Sequence, residues 1–132
     1  MSKRNPYEFV DFRDERMVRT TDAIMEELGD GDGLLRRYAV DDSLPGREGA
    51  FLCCSFWLAE VLARQGRPTK ARELFDRTVS TATGLGLFAE QVDPASGELL
   101  GNFPQALTHL AHIEAALALS EHGALLSTAA PG

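Results

Sequence analysis

Apolar residues recur at helical spacing in four places along the chain, and nowhere do they alternate convincingly as a strand would. From about Arg13 to Leu28, the residues Met17, Thr21, Ile24 and Leu28 share one stripe, and Gly29 behind them predicts a left-handed stop. A second segment, about Ala50 to Arg64, is apolar around most of its circumference. Phe51, Leu52, Ser55, Leu58, Ala59 and Leu62 make one face, and Cys54, Trp57 and Val61 make another. A helix of that kind is built to be buried on several sides. The run QGRP breaks it, and Pro68 opens a third helix whose stripe is Ala71, Leu74, Phe75, Thr78, Val79 and Ala82. These two segments predict an antiparallel hairpin with the second helix inside and the third outside. A fourth helix is expected over Phe103–Ser120, with a stripe at Leu107, Leu110, Ile113, Ala116 and Leu117. Asn102 suits its N-cap, Pro104 its first turn and Gly123 its end. The predicted fold class is all-α.

Between these helices lie two irregular stretches, GDGDGLLRRYAVDDSLPGREG and GLGLFAEQVDPASGELLGNFP, both rich in glycine, proline and acids. Connections of that length without periodicity tend to carry function. The tail ALLSTAAPG reads as a frayed end.

The chain has 132 residues, room for one domain, and its 44% hydrophobic and 25% charged residues are ordinary for a globular protein. Twenty acids against thirteen bases give a formal charge of -7, which repels phosphate backbones and argues against nucleic acid as a partner. Cys53 and Cys54 are adjacent, unable to form the usual structural bridge, and lack metal-ligand spacing. A disulfide framework is thereby excluded, which favours a reducing compartment. No stretch reaches the roughly 18 apolar residues of a membrane span, and the N-terminus has no secretory core. These features predict a soluble, cytoplasmic protein without a membrane partner.

The run EGAFLCCSFWLAEVLARQGRPTKARELF, followed by GLFAEQVDPASGELLGNFPQALTHLAHIEAAL, resembles the C-terminal end of family 15 glycoside hydrolases. That family includes the glucoamylases, glucodextranases and glucoamylase-like trehalases of bacteria. The resemblance extends from about Asp11 to Leu119, and its most specific pieces are the AEQVDP loop and the GNFPQAxxH segment. It implies a partial (α/α)6 toroid made of helical hairpins, an α-linked glucose di- or oligosaccharide such as a maltose-type glucan or trehalose as substrate, and no cofactor. It also implies hydrolysis with inversion, in which an acid and a base stand roughly 6.5–9.5 Å apart with a water between base and sugar.

The glutamate of the family's Glu-Gln loop is the general base, and it falls on Glu90, with Gln91 beside it as a substrate-binding residue. The flanking Leu87, Phe88 and Ala89 would anchor such a loop and limit solvent. Taken without the resemblance, Glu90 reads as an exposed loop glutamate with no task, since lone carboxylates are common. The family also places an arginine next to a tyrosine, an acid and an aromatic residue along its sugar subsites, and Arg37, Tyr38, Asp42 and Phe51 match them. Arg47 and Glu48, just before the buried helix, can face the same mouth. Arginines and carboxylates offer directed hydrogen bonds to hydroxyls, although local pairing in a solvated loop accounts for the same charges.

Other candidates are weaker. His109 and His112 lie at i and i+3 on the fourth helix without a third ligand spaced to complete a metal site, so packing or capping is expected. GDGDG lacks the remaining ligands of a calcium loop and reads as a turn. Phe56 and Trp57 are expected in the core. The competing class is a tetratricopeptide-like interaction module, suggested by the hairpin with Ala71 and Phe75, but no second copy of the repeat is present.

The resemblance further implies that the general acid lies upstream of these motifs and that about four of twelve helices are encoded here. Residues 1–132 are therefore expected to be a C-terminal fragment, truncated or split, of a longer catalytic domain. Such a chain is expected to be inactive alone and to leave a face around Phe56, Trp57 and Val61 for the missing N-terminal portion or for self-association.

Overall fold

The computed structural model describes residues 9–31, 33–37 and 49–122. In chain order they form α1 (Glu15–Leu28), β1 (Ala50–Phe51), α2 (Leu52–Arg64), α3 (Pro68–Val79), β2 (Gln91–Val92), β3 (Leu99–Leu100) and α4 (Ala106–Glu121). All four expected helices are present. The three short strands were not expected from the sequence; they pair antiparallel in the order β1-β2-β3, and β1 occupies the first two residues of the segment expected to be the second helix. Two residues are too few to show a period of two, which is why the pattern misses them.

α1 begins where the Asp14 carboxylate accepts the Arg16 N–H, with Glu15 in the first turn. Its Ile24, Met25 and Leu28 pack against the core. Gly29 is extended (φ -67°, ψ 146°) and does not form the expected left-handed stop. A glycine is required there because a Cβ would lie 2.4 Å from the Met25 carbonyl oxygen. The chain then turns back on itself: Asp30 N–H donates to Leu34 and Arg36 N–H to Leu28. This carries Leu34 and Leu35, which belong to no helical stripe, into the core.

α2 is the central element, packed against α3 on one side and α4 on the other, while α3 and α4 touch each other little. Leu52, Cys53, Ser55, Phe56, Leu58, Ala59, Leu62 and Ala63 are buried, as an inner helix requires. α3 buries one stripe, Ala71, Leu74, Phe75 and Thr78, as an outer helix does. The turn between them uses Gly66 at φ +76°. Phe56 sits edge-on to Phe75 and Phe88, with the His112 ring stacked on Phe75, so one aromatic cluster joins α2, α3, α4 and the loop before β2. Burial pushes the His112 imidazole below its ordinary pKa, with the neighbouring His109 adding to it.

Three details differ from expectation. Trp57 is 43% exposed instead of lying in the core. α4 starts three residues after the expected Phe103, with Gln105 and no side-chain cap at its N-terminus. It also turns the other way: Thr108, Ala111, Ala115, Ala118 and Leu119 face α2, and Leu107, Leu110, Ile113 and Leu117 are exposed. Small residues let two helices approach closely, and that requirement outweighs the burial of the larger leucines. The open apolar surface is therefore mainly on α4 rather than around Phe56, which is fully buried. A groove of about 520 Å³ runs between α2 and α4, lined by Phe12, Trp57, Val61, Leu107 and Leu110 among others. No helix among the described residues is long and apolar enough to cross a membrane.

Candidate active site

The second irregular stretch is held at almost every backbone group as it approaches Glu90. Phe88 N–H donates to His109 Nε2 at 3.0 Å, which places the imidazole proton on Nδ1. The Phe88 carbonyl accepts Gln105 N–H, and the Thr108 hydroxyl lies 3.1 Å from the Ala89 carbonyl. Phe88 and Ala89 are buried, whereas Glu90 is half-exposed. Its own N–H donates to the Asn102 carbonyl, and its carbonyl accepts the first helical N–H of α2, that of Leu52. The loop is therefore stapled to the first turns of α2 and α4, with the Glu90 side chain at its tip.

The chain next runs through β2, turns at residues 93–98 and returns through β3. Asp93 Oδ1 accepts Ala95 N–H, and Gly97 takes φ +76°. The register Gln91↔Leu100 and Val92↔Leu99 sets Gly101 across from Glu90. Glu90 Oε2 accepts the Asn102 backbone N–H at 3.2 Å and the Asn102 Nδ2–H at 2.9 Å. Asn102, expected to cap α4, instead holds the glutamate. The turn signal DPASG, between Gln91–Val92 and Leu99–Leu100, is the feature from which this hairpin could have been read.

On the other edge of β2, Phe51 pairs with Gln91. The Gln91 side-chain carbonyl accepts Gly49 N–H at 2.9 Å, tying the end of the first irregular stretch to the Glu90 strand. The Arg37 guanidinium lies over the Phe51 ring, 5.5 Å from its centroid. Arg37 also bears on Cys54: burial pushes that thiol up, and the guanidinium opposes the rise. Cys53 is buried more completely in effect, its thiol pushed up to about 12 by burial, with Cys54 and Glu114 adding to it. Neither cysteine has the electropositive, low-pKa setting of a nucleophile.

The fold thus gathers Arg37, Phe51, Glu90 and Gln91 around the β1–β2 pair at the head of α2. Tyr38, Asp42 and Glu48, with Arg47, lie outside the described residues. His109 and His112 hold a backbone amide and an aromatic cluster respectively, and no group of three potential metal ligands occurs among the described residues.

The pattern of the family Glycosyl hydrolases family 15 matches residues 3–117. The chain belongs to this family. The α2–α3 hairpin with α4 beside it is the inner–outer arrangement of the family's (α/α)6 fold, rather than a tetratricopeptide repeat. Among family relatives, a trehalase of Mycolicibacterium smegmatis is 47% identical over 110 residues, covering 81% of this chain and 16% of the relative. A trehalase of Mycobacterium tuberculosis is 50% identical over 105 residues, covering 77% and 15%. A trehalase of Thermoplasma volcanium is 43% identical over 113 residues, covering 86% and 18%. The family 15 chain described here therefore spans less than a fifth of the length of the curated relatives it matches. No solved structure matches it.

Proposed function

We propose that this chain carries the water-activating part of an inverting glycoside hydrolase, with an α-linked glucose disaccharide, trehalose, as substrate and Glu90 as general base. The observation behind this reading is the setting of Glu90: a half-exposed carboxylate on a loop tied by its backbone to Leu52 and Asn102, next to the Gln91–Phe51 strand pair over which Arg37 lies. The relatives named trehalases support the choice of substrate. In the proposed step, Glu90 takes a proton from a water as the water oxygen attacks the anomeric carbon. The glycosidic C–O bond breaks on the opposite face, its electron pair leaves with the second glucose, and that oxygen takes a proton from a general acid. The acid and the remaining helices come, in this reading, from the part of the family domain beyond this chain. Arg37, Phe51 and Gln91 bind the sugar, and the roles of Tyr38, Asp42 and Glu48 rest on the resemblance alone.

The test is glucose release from trehalose and from maltose, by the chain alone and by the chain supplied with the N-terminal portion of a family trehalase. No release is expected alone. Release is expected on reconstitution, and Glu90→Gln should abolish it while trehalose still binds. Full activity of reconstituted Glu90→Gln would remove Glu90 from the mechanism, and robust release by the isolated chain would show that it holds an acid of its own.

A further inference from the structure

The geometry points to Asn102 as a positioning residue that gives the two carboxylate oxygens of Glu90 different tasks: Oε2 is held, and Oε1 is left to take the proton from water. This inference rests on the reading of Glu90 as base. Glu90 and Asn102 exchange bonds in both directions. The Asn102 carbonyl accepts Glu90 N–H at 2.9 Å, while Oε2 accepts the Asn102 backbone N–H at 3.2 Å and Nδ2–H at 2.9 Å. Gly101 makes room for this: a Cβ there would lie 3.1 Å from Glu90 Cβ, Cδ and Oε2, and its φ is +74°. Oε1 accepts no hydrogen bond among the described residues.

A glutamate's terminal torsion is broad and roughly two-fold, so an unheld carboxylate presents either oxygen equally. Two donors on one oxygen remove that equivalence, and the bonds are strengthened by the charge they meet. The arrangement also survives the reaction. When Oε1 gains the proton, Oε2 becomes the carbonyl oxygen of a neutral carboxyl group, which accepts the same two N–H bonds. Protonation on Oε2 would instead set a hydrogen against two donors. Asn102 thus need not move during the step, and the base keeps one orientation toward the water.

Two experiments test this. In the isolated full chain, the Asn102 side-chain amide protons are followed by NMR on acidification. They should move with protonation of the carboxylate and stop responding in Glu90→Gln; no response in the wild-type chain overturns the proposal without any need for activity. In the reconstituted enzyme, Asn102→Ala should lower kcat on trehalose about tenfold, and Asn102→Asp, which sets a negative charge against Oε2, about a hundredfold. KM should stay within about twofold in both, and urea midpoints should match wild type. Wild-type kcat in both variants while Glu90→Gln is inactive refutes the role of Asn102 and leaves the base reading standing. An active Glu90→Gln refutes the base reading itself and the role of Asn102 with it.

Discussion

Replacing Gly49 by alanine should destabilise the protein far more than one added methyl group suggests. The new Cβ would lie 2.4 Å from the Val92 carbonyl oxygen and 2.8 Å from its carbon, contacts that must open beyond 3.0 Å. Neither partner can yield cheaply. Val92 is paired with Ala50 on one side and Leu99 on the other, and its side chain is buried. Gly49 itself donates to Gln91 Oε1. Overpacking typically costs about 1–3 kcal/mol, and a lost hydrogen bond adds about 0.5–1.5 kcal/mol, so a loss of about 2–4 kcal/mol is expected. With an m-value of about 2 kcal/mol/M, the urea midpoint should fall by roughly 1–2 M at unchanged slope. The control is Gly84→Ala, where the added Cβ meets nothing within 4 Å and the backbone is outside the left-handed region. That variant should be neutral or more stable by up to about 1 kcal/mol. Equal midpoints for the two variants would refute the close approach of Gly49 to Val92, and with it the pairing of Phe51 with Gln91.

The remaining expectations concern pH and surface. Because burial lowers the His112 pKa below its ordinary 6.5, the unfolded chain binds that proton more readily than the folded one. Stability should be full above about pH 6.5 and fall as the pH drops through the folded value; urea midpoints at pH 8 and pH 5 should differ more in wild type than in His112→Leu. Leu110 and Ile113 are each 55% exposed on an apolar face, so the chain should bind a hydrophobic dye. The double variant Leu110→Glu, Ile113→Lys should reduce that emission by roughly half or more without lowering the urea midpoint; unchanged emission would place the sticky surface elsewhere.

The helices were legible because each is long enough to repeat a stripe. The face of α4 was not, since a reading by bulk selects Leu107, Leu110, Ile113 and Leu117, whereas tight packing on α2 selects Ala111, Ala115 and Ala118. Leu34 and Leu35 sit among glycines and acids with no period to reveal them, yet they are core residues. Glu90 and Gln91 stood out through family motifs, and Arg37 and Phe51 through the same route. Asn102 did not, because a local rule, N-cap before a helix, competed with a contact twelve residues away that only the β2–β3 register makes visible. Gln91 shows the same limit: its carbonyl serves Gly49, a task that nothing in its immediate neighbours announces.

Phe88 belongs to the aromatic cluster at the centre of the core, and Glu90 follows it two residues later along a backbone held by the bonds of Phe88, Ala89 and Glu90. The side chain proposed to touch the water is thus a short, rigid extension of the interior. A shift of about 1 Å at a reacting group is enough to cost about a hundredfold in rate, while the same shift in a core ring can leave the folded population nearly intact. If the proposed reconstituted enzyme is selected for sugar turnover, it should therefore lose substitutions at Phe56, Phe75 or Phe88 that selection for folded yield retains. In this molecule, the tolerance of the interior depends on which of the two is being measured.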